Sequence, residues 1–150
     1  MLSYDDLGRG QTIVLLHGFC ENKSLWKEFE EDLAEQYRVI NIDLPGFGES
    51  PLLESNISID WYAQQINDLL EELSIEEVVI VGHSLGGYIG LAFGKLYQEK
   101  LFGLGLIHSN IFADTEDRIH TRNKTLNFLE RIGIERFINI FVPPLFFNKN

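Results

Sequence analysis

The chain has 150 residues, with 12 Lys and Arg against 23 Asp and Glu, for a formal net charge of −11. That balance argues against nucleic-acid binding, which draws its affinity from cations set against phosphates. Hydrophobic residues make up 45% and charged residues 23%, the composition of a globular protein with one domain's worth of core. No apolar stretch approaches the ~20 residues that span a bilayer, so no membrane partner is expected. The opening MLSYDDLGRG lacks the basic-then-apolar pattern of a leader peptide. The single cysteine, Cys20, can form no internal disulfide, which fits a reducing, cytoplasmic home. There is no internal repeat and no Cys/His cluster at metal-ligand spacing. The pattern fixes no oligomeric state.

The elements follow in chain order. Leu2 to Tyr4 reads as a short strand, turned by Gly8 and Gly10 into TIVLL at 12–16. That second run is continuous and rich in branched residues, as a strand buried on both faces should be. SLWKEFEEDLAEQYR follows as an amphipathic helix, with Trp26, Phe29, Leu33 and Tyr37 on its apolar stripe and the acids of EFEED facing water. RVINID at 38–43 is the next strand, and PGFGESP is turn chemistry. Ile59, Tyr62, Ile66, Leu69, Leu70 and Leu73 recur at helical spacing. VVIV at 78–81 is a third buried strand, 86–97 a helix, and LFGLGLIH at 101–108 a further strand. This alternation predicts an α/β fold with a mostly parallel sheet and helices on both faces. Beyond it, a helix is expected over 115–132 with Ile119, Leu126, Leu129 and Ile132 inward. A second, IERFINIF, runs up to Pro143 and Pro144. Two helical segments with no strand between them do not continue a sheet. The division expected is a core over 1–112 and a helical excursion over 113–150.

One stretch carries chemistry. Gly82-His83-Ser84-Leu85-Gly86 is G-x-S-x-G placed directly after a strand and directly before a helix, the context of a nucleophile elbow. A sharp turn there would hold Ser84 strained and out of the sheet, while Gly82 and Gly86 leave room for close packing. The following helix offers unpaired N–H groups beside the serine oxygen. A tetrahedral oxyanion needs two such donors. The Leu85 N–H is one, and the loop His17-Gly18-Phe19 after TIVLL supplies the other, assigned to the Phe19 N–H.

LLHGF at 15–19, DLPGFGES at 43–50 and GHSLGG at 82–87 together resemble the N-terminal part of the α/β-hydrolases. The resemblance implies a three-layer core truncated soon after a helical cap begins, near Thr115. It implies the small, capped, cofactor-free esterase-type branch, since a single HG pair stands where the lipase branch has HGGG. The implied partner is a small acyl or ester substrate. In this fold the triad order is serine, acid, histidine, and the loops that carry the last two are expected beyond Asn150. A sheet ending at 101–108 would also leave an unpaired apolar edge. The expected protein is therefore a serine hydrolase of which these residues hold the nucleophile, Ser84, and the oxyanion donors Phe19 and Leu85, without acid or base, so that the 150 residues alone are inactive.

Other residues read more simply. His17 is expected to fix its loop by a hydrogen bond, His83 to stabilise the elbow, and Asp43 to organise the PGFGES loop. His108 reads as a packing residue near the pocket and His120 as solvated. Asp114, Glu116 and Asp117 read as charges at a helix start. Cys20 either faces the pocket or is a small buried apolar residue. Two alternatives stay open: an enzyme of the same scaffold that cleaves a C–C bond or eliminates, and a pocket that binds without chemistry.

Overall fold

The computed structural model describes residues 1–145; the last five residues of the expected helical excursion lie outside them. Two compact units divide after Ile111. The first holds five strands, β1 (Tyr4–Gly8), β2 (Thr12–Leu16), β3 (Arg38–Ile42), β4 (Val78–His83) and β5 (Leu101–Ile107), with helices α1 (Lys27–Ala34), α2 (Ile59–Glu72) and α3 (Leu85–Leu96). The second holds α4 (Glu116–Ile132) and α5 (Ile134–Phe141). Among the described residues no helix is long and apolar enough to cross a membrane.

The sheet order is β1-β3-β2-β4-β5. All pairings are parallel except β1 with β3. β2 therefore lies at the centre, between β3 and β4, and every residue of TIVLL is buried. Alternation along each strand then assigns two faces. Val14, Leu16, Ile40, Ile42, Val78 and Ile80 pack with Ile66 and Leu70 of α2 and Ile89 and Phe93 of α3. Ile13, Leu15 and Val39 face the other way, against Trp26 and α1. Ser58 caps α2, its hydroxyl accepting the Trp61 N–H at 3.0 Å. This is the expected three-layer, mostly parallel α/β architecture.

Four expectations need correction. The first strand is Tyr4–Gly8, not Leu2–Tyr4. It is an edge strand, and its charges Asp5 and Asp6 are paired by Lys23 and Arg38, so a polar YDDLG still forms a ladder. The α1 stripe is rotated. Phe29 is 59% exposed while Glu30 is fully buried, because the helix begins only at Lys27, after one turn of 3-10 helix over Lys23–Trp26. Glu30 is tolerated inside because its carboxylate accepts from Lys27 Nζ and Asn41 Nδ2. The α4 stripe also differs: Ile119 and Leu126 are exposed, while Leu129 and Ile132 are half-buried. Helical spacing marks a potential apolar face, and packing decides how much of it is covered. Finally, of the two readings of Cys20 the buried one falls, since the residue is exposed.

Candidate active site

The corner at the carboxyl ends of β2 and β4 is built around Ser84. β4 ends at His83 and α3 begins at Leu85, so one residue must turn the chain from extended to helical. Ser84 does this at φ 49° and ψ −108°, a sparsely populated conformation for a residue with a side chain. Its surroundings hold it there. The Ser84 N–H donates to Ile107 O on β5 at 2.9 Å. Its carbonyl accepts the Gly87 N–H at 3.1 Å and the Ser109 hydroxyl at 3.0 Å. Both backbone groups of the strained residue are thus occupied, which is what keeps such a conformation populated.

Two glycines make the corner possible. A Cβ on Gly82 would collide with the backbone of Gly86 and Gly87, and one on Gly86 with the carbonyls of Leu16 and His17. The first turn of α3 therefore lies directly on the end of β2, beside the loop His17-Gly18-Phe19. Gly18 approaches Ser84 closely, since a Cβ there would stand 3.2 Å from Ser84 Cβ.

That loop is fixed by His17, as expected. The buried imidazole donates from Nδ1 to Gly18 O at 2.8 Å and accepts the Leu44 N–H on Nε2 at 2.9 Å. Burial pushes its pKa below the ordinary imidazole value, outweighing the Gly18 carbonyl and the Asp43 and Glu21 carboxylates that favour the cation. A neutral ring is also what the Leu44 N–H requires, because only an unprotonated nitrogen accepts. A peptide unit is planar and trans. Pinning Gly18 O on one side therefore aims the Phe19 N–H to the other.

Asp43 organises the next loop. Its carboxylate accepts the Lys23 N–H at 2.7 Å and the Glu49 N–H at 2.9 Å, and its carbonyl accepts the Ser50 hydroxyl at 2.6 Å. Gly48, at φ 54°, passes so close that a Cβ would enter the Asp43 carboxyl. The Phe47 ring meets His17 edge-on at 5.5 Å and Phe19 at 6.0 Å.

His83 stands beside the elbow with Nδ1 2.8 Å from Glu21 Oε2, and His108 meets its ring edge-on at 5.8 Å. Both histidines line an apolar cleft of about 370 Å³ with Trp26, Phe29, Val81 and Ile107. Among the described residues no imidazole or carboxylate is hydrogen-bonded to the Ser84 hydroxyl. In the second unit His120 is exposed, Asp114 pairs with Arg122, and Glu116 and Asp117 occupy the first turn of α4. Sequence reasoning missed Glu21 and Ser109. Neither falls in a motif, and the contacts of Glu21 with His83 and of Ser109 with Ser84 are distant in sequence.

Comparison with known proteins decides the family. The sequence profile described as alpha/beta hydrolase fold matches residues 11–133. The chain belongs to the α/β-hydrolase family. It is 36% identical over 110 residues to a pimeloyl-(acyl-carrier protein) methyl ester esterase of Aeromonas salmonicida, covering 73% of this chain and 42% of that protein. It is 33% identical over 112 residues to epoxide hydrolase 4 of Homo sapiens, covering 71% and 31%. Among solved structures, a thermophilic esterase from Thermogutta terrifontis superposes with a TM-score of 0.86 at 30% identity, covering 95% of this chain and 53% of that one. The chain thus spans about half or less of the length of these relatives.

Proposed function

We propose that the protein is a serine hydrolase acting on a carboxylic ester or related small acyl substrate, with Ser84 as nucleophile. The observation that carries this reading is the strained, doubly anchored backbone of Ser84 between β4 and α3. Such strain needs a use, and presenting a hydroxyl outside the sheet next to a helix N-terminus is that use. The similarity to esterases supports the substrate class.

In the proposed reaction a histidine base takes the Ser84 Oγ proton as oxygen attacks the substrate carbonyl carbon. The oxyanion is held by the Phe19 and Leu85 N–H groups, each worth about 2.7–4 kcal/mol in the transition state. The intermediate collapses, and the leaving alcohol takes the proton from the histidine. Water then attacks the acyl-enzyme with the same base, releasing the acid and restoring Ser84. No cofactor enters these steps. We place the base and its acid partner outside residues 1–150, and we read residues 113–150 as the start of a helical cap. We assign the enzyme a reducing, cytoplasmic setting, in keeping with the free, exposed Cys20.

Two measurements test this. The 150-residue chain should hydrolyse p-nitrophenyl acetate no faster than its Ser84→Ala variant; Ser84-dependent turnover by it would show that a base lies within these residues. A fluorophosphonate probe should label Ser84 in the whole polypeptide. Absence of labelling there, with tight ligand binding, would favour a binding module. Product analysis separates ester hydrolysis from C–C bond cleavage.

A further inference from the structure

The turn from Gly18 to Glu21 closes on itself twice. The Glu21 N–H approaches Gly18 O at 3.4 Å, and in return Glu21 Oε2 accepts the Gly18 N–H at 2.6 Å. The same oxygen lies 2.8 Å from His83 Nδ1. One carboxylate oxygen therefore joins two segments 62 residues apart, the loop after β2 and the last residue of β4. Hydrogen bonds to an ionised acceptor are short and about twice as strong as neutral ones. Cys20 sits within this turn at φ 62°, a cost that the closed turn must offset.

Geometry gives the bridge a direction. The Gly18 N–H is committed to Glu21. The Gly18 carbonyl is committed to His17. With both faces of Gly18 tied, the Phe19 N–H is held relative to the β2 end. His83 immediately precedes Ser84, so the second arm of the bridge refers that loop to the elbow and hence to the Leu85 N–H. We propose that Glu21 is a positioning residue whose carboxylate ties the Gly18 amide to the His83 imidazole and so sets the spacing of the Phe19 and Leu85 N–H groups across Ser84. The proposal rests on the acyl-transfer reading. It assigns Glu21 no contact with the reacting atoms.

Removing an oxyanion donor outright costs 10²- to 10³-fold in kcat; loosening one should cost less, about tenfold. In the whole polypeptide, Glu21→Ala should lower kcat on p-nitrophenyl acetate about tenfold and leave KM within about twofold, because the contact matters where charge develops. Glu21→Gln keeps an oxygen that accepts both bonds and should recover most of the loss. Glu28→Ala, on the exposed side of α1, should change neither constant. Independently of activity, proton–nitrogen NMR of the 150-residue chain should show the Gly18 amide proton downfield and protected from exchange, moving upfield in Glu21→Ala. If that variant does not fold, an unprotected Gly18 amide in the unmodified chain is enough to overturn the bridge. An unmoved Gly18 resonance in folded Glu21→Ala also overturns it. An unchanged kcat in Glu21→Ala, where Ser84→Ala abolishes turnover, overturns the positioning role. Turnover surviving in Ser84→Ala overturns the acyl-transfer reading instead, and the Gly18 resonance then reports on the bridge alone.

Discussion

The two faces of the sheet are built differently. On one, α2 and α3 lie side by side over Val14, Leu16, Ile40, Ile42, Val78 and Ile80, and the contact is apolar nearly throughout. On the other, the eight-residue α1 covers Ile13, Leu15 and Val39 and leaves Val79 and Val81 only partly buried. That second face carries the buried Glu30 and Asn41. Among the described residues, the buried side-chain atoms lacking a hydrogen-bond partner, Trp26 Nε1 and Asn41 Oδ1, both belong to it. One face supplies most of the cohesion. The other supplies the cleft that His83 and His108 line.

Matched substitutions sharpen this contrast. Phe93, fully buried on the sheet-facing side of α3, is predicted to cost about 3–5 kcal/mol on change to alanine, read as a lower urea midpoint. A loss under ~1 kcal/mol would show that the two-helix face is not the main source of stability. On the α1 face, Glu30→Ala removes an acceptor from the Asn41 amide and should cost about 1–3 kcal/mol, measured the same way. Stabilisation instead would mean that the desolvation of the carboxylate outweighs its hydrogen bonds.

The corner between the faces should show a pH signature. His17 has a lowered pKa because it is buried. The unfolded chain takes up this proton near pH 6.5, as an ordinary imidazole does, while the folded chain resists it to lower pH. The unfolded state then binds more protons, so stability from this group is complete above about pH 6.5 and declines as pH falls toward the folded value. Urea unfolding across that range should slope less in His17→Gln than in the unmodified chain, and equal slopes would reject the assignment. The smallest effect is expected at Phe29, 59% exposed on α1. Phe29→Ser should stay within about 0.5 kcal/mol of the parent, the range for exposed sites, against several for Phe93→Ala.

These contrasts also show which features were legible beforehand. The α2 stripe was readable because Tyr62, Ile66, Leu69 and Leu70 have only one face to bury, and all four are buried. The α1 stripe was misread because Trp26 belongs to the preceding 3-10 turn, whose angular step per residue differs from that of an α-helix. The YDDLG strand was missed because its charges are neutralised by Lys23 and Arg38, which are remote in sequence. The position of Ser84 could be read because strand, glycine and helix signals all fall within a few residues. Its anchors Ile107 and Ser109, and the Glu21 bridge, could not be read, because each is a contact across more than 20 residues.

The sequence by itself determined where the chain must bend and which strands must be buried, since turn chemistry, glycine and branched apolar runs act over a few neighbouring residues. Only the tertiary structure decided that His17 accepts the Leu44 N–H, that Glu30 lies inside and Phe29 outside, and that Glu21 joins loop to elbow. Those outcomes depend on which polar groups meet once the sheet has formed, and a hydrogen bond between distant segments leaves no periodic trace in the order of residues.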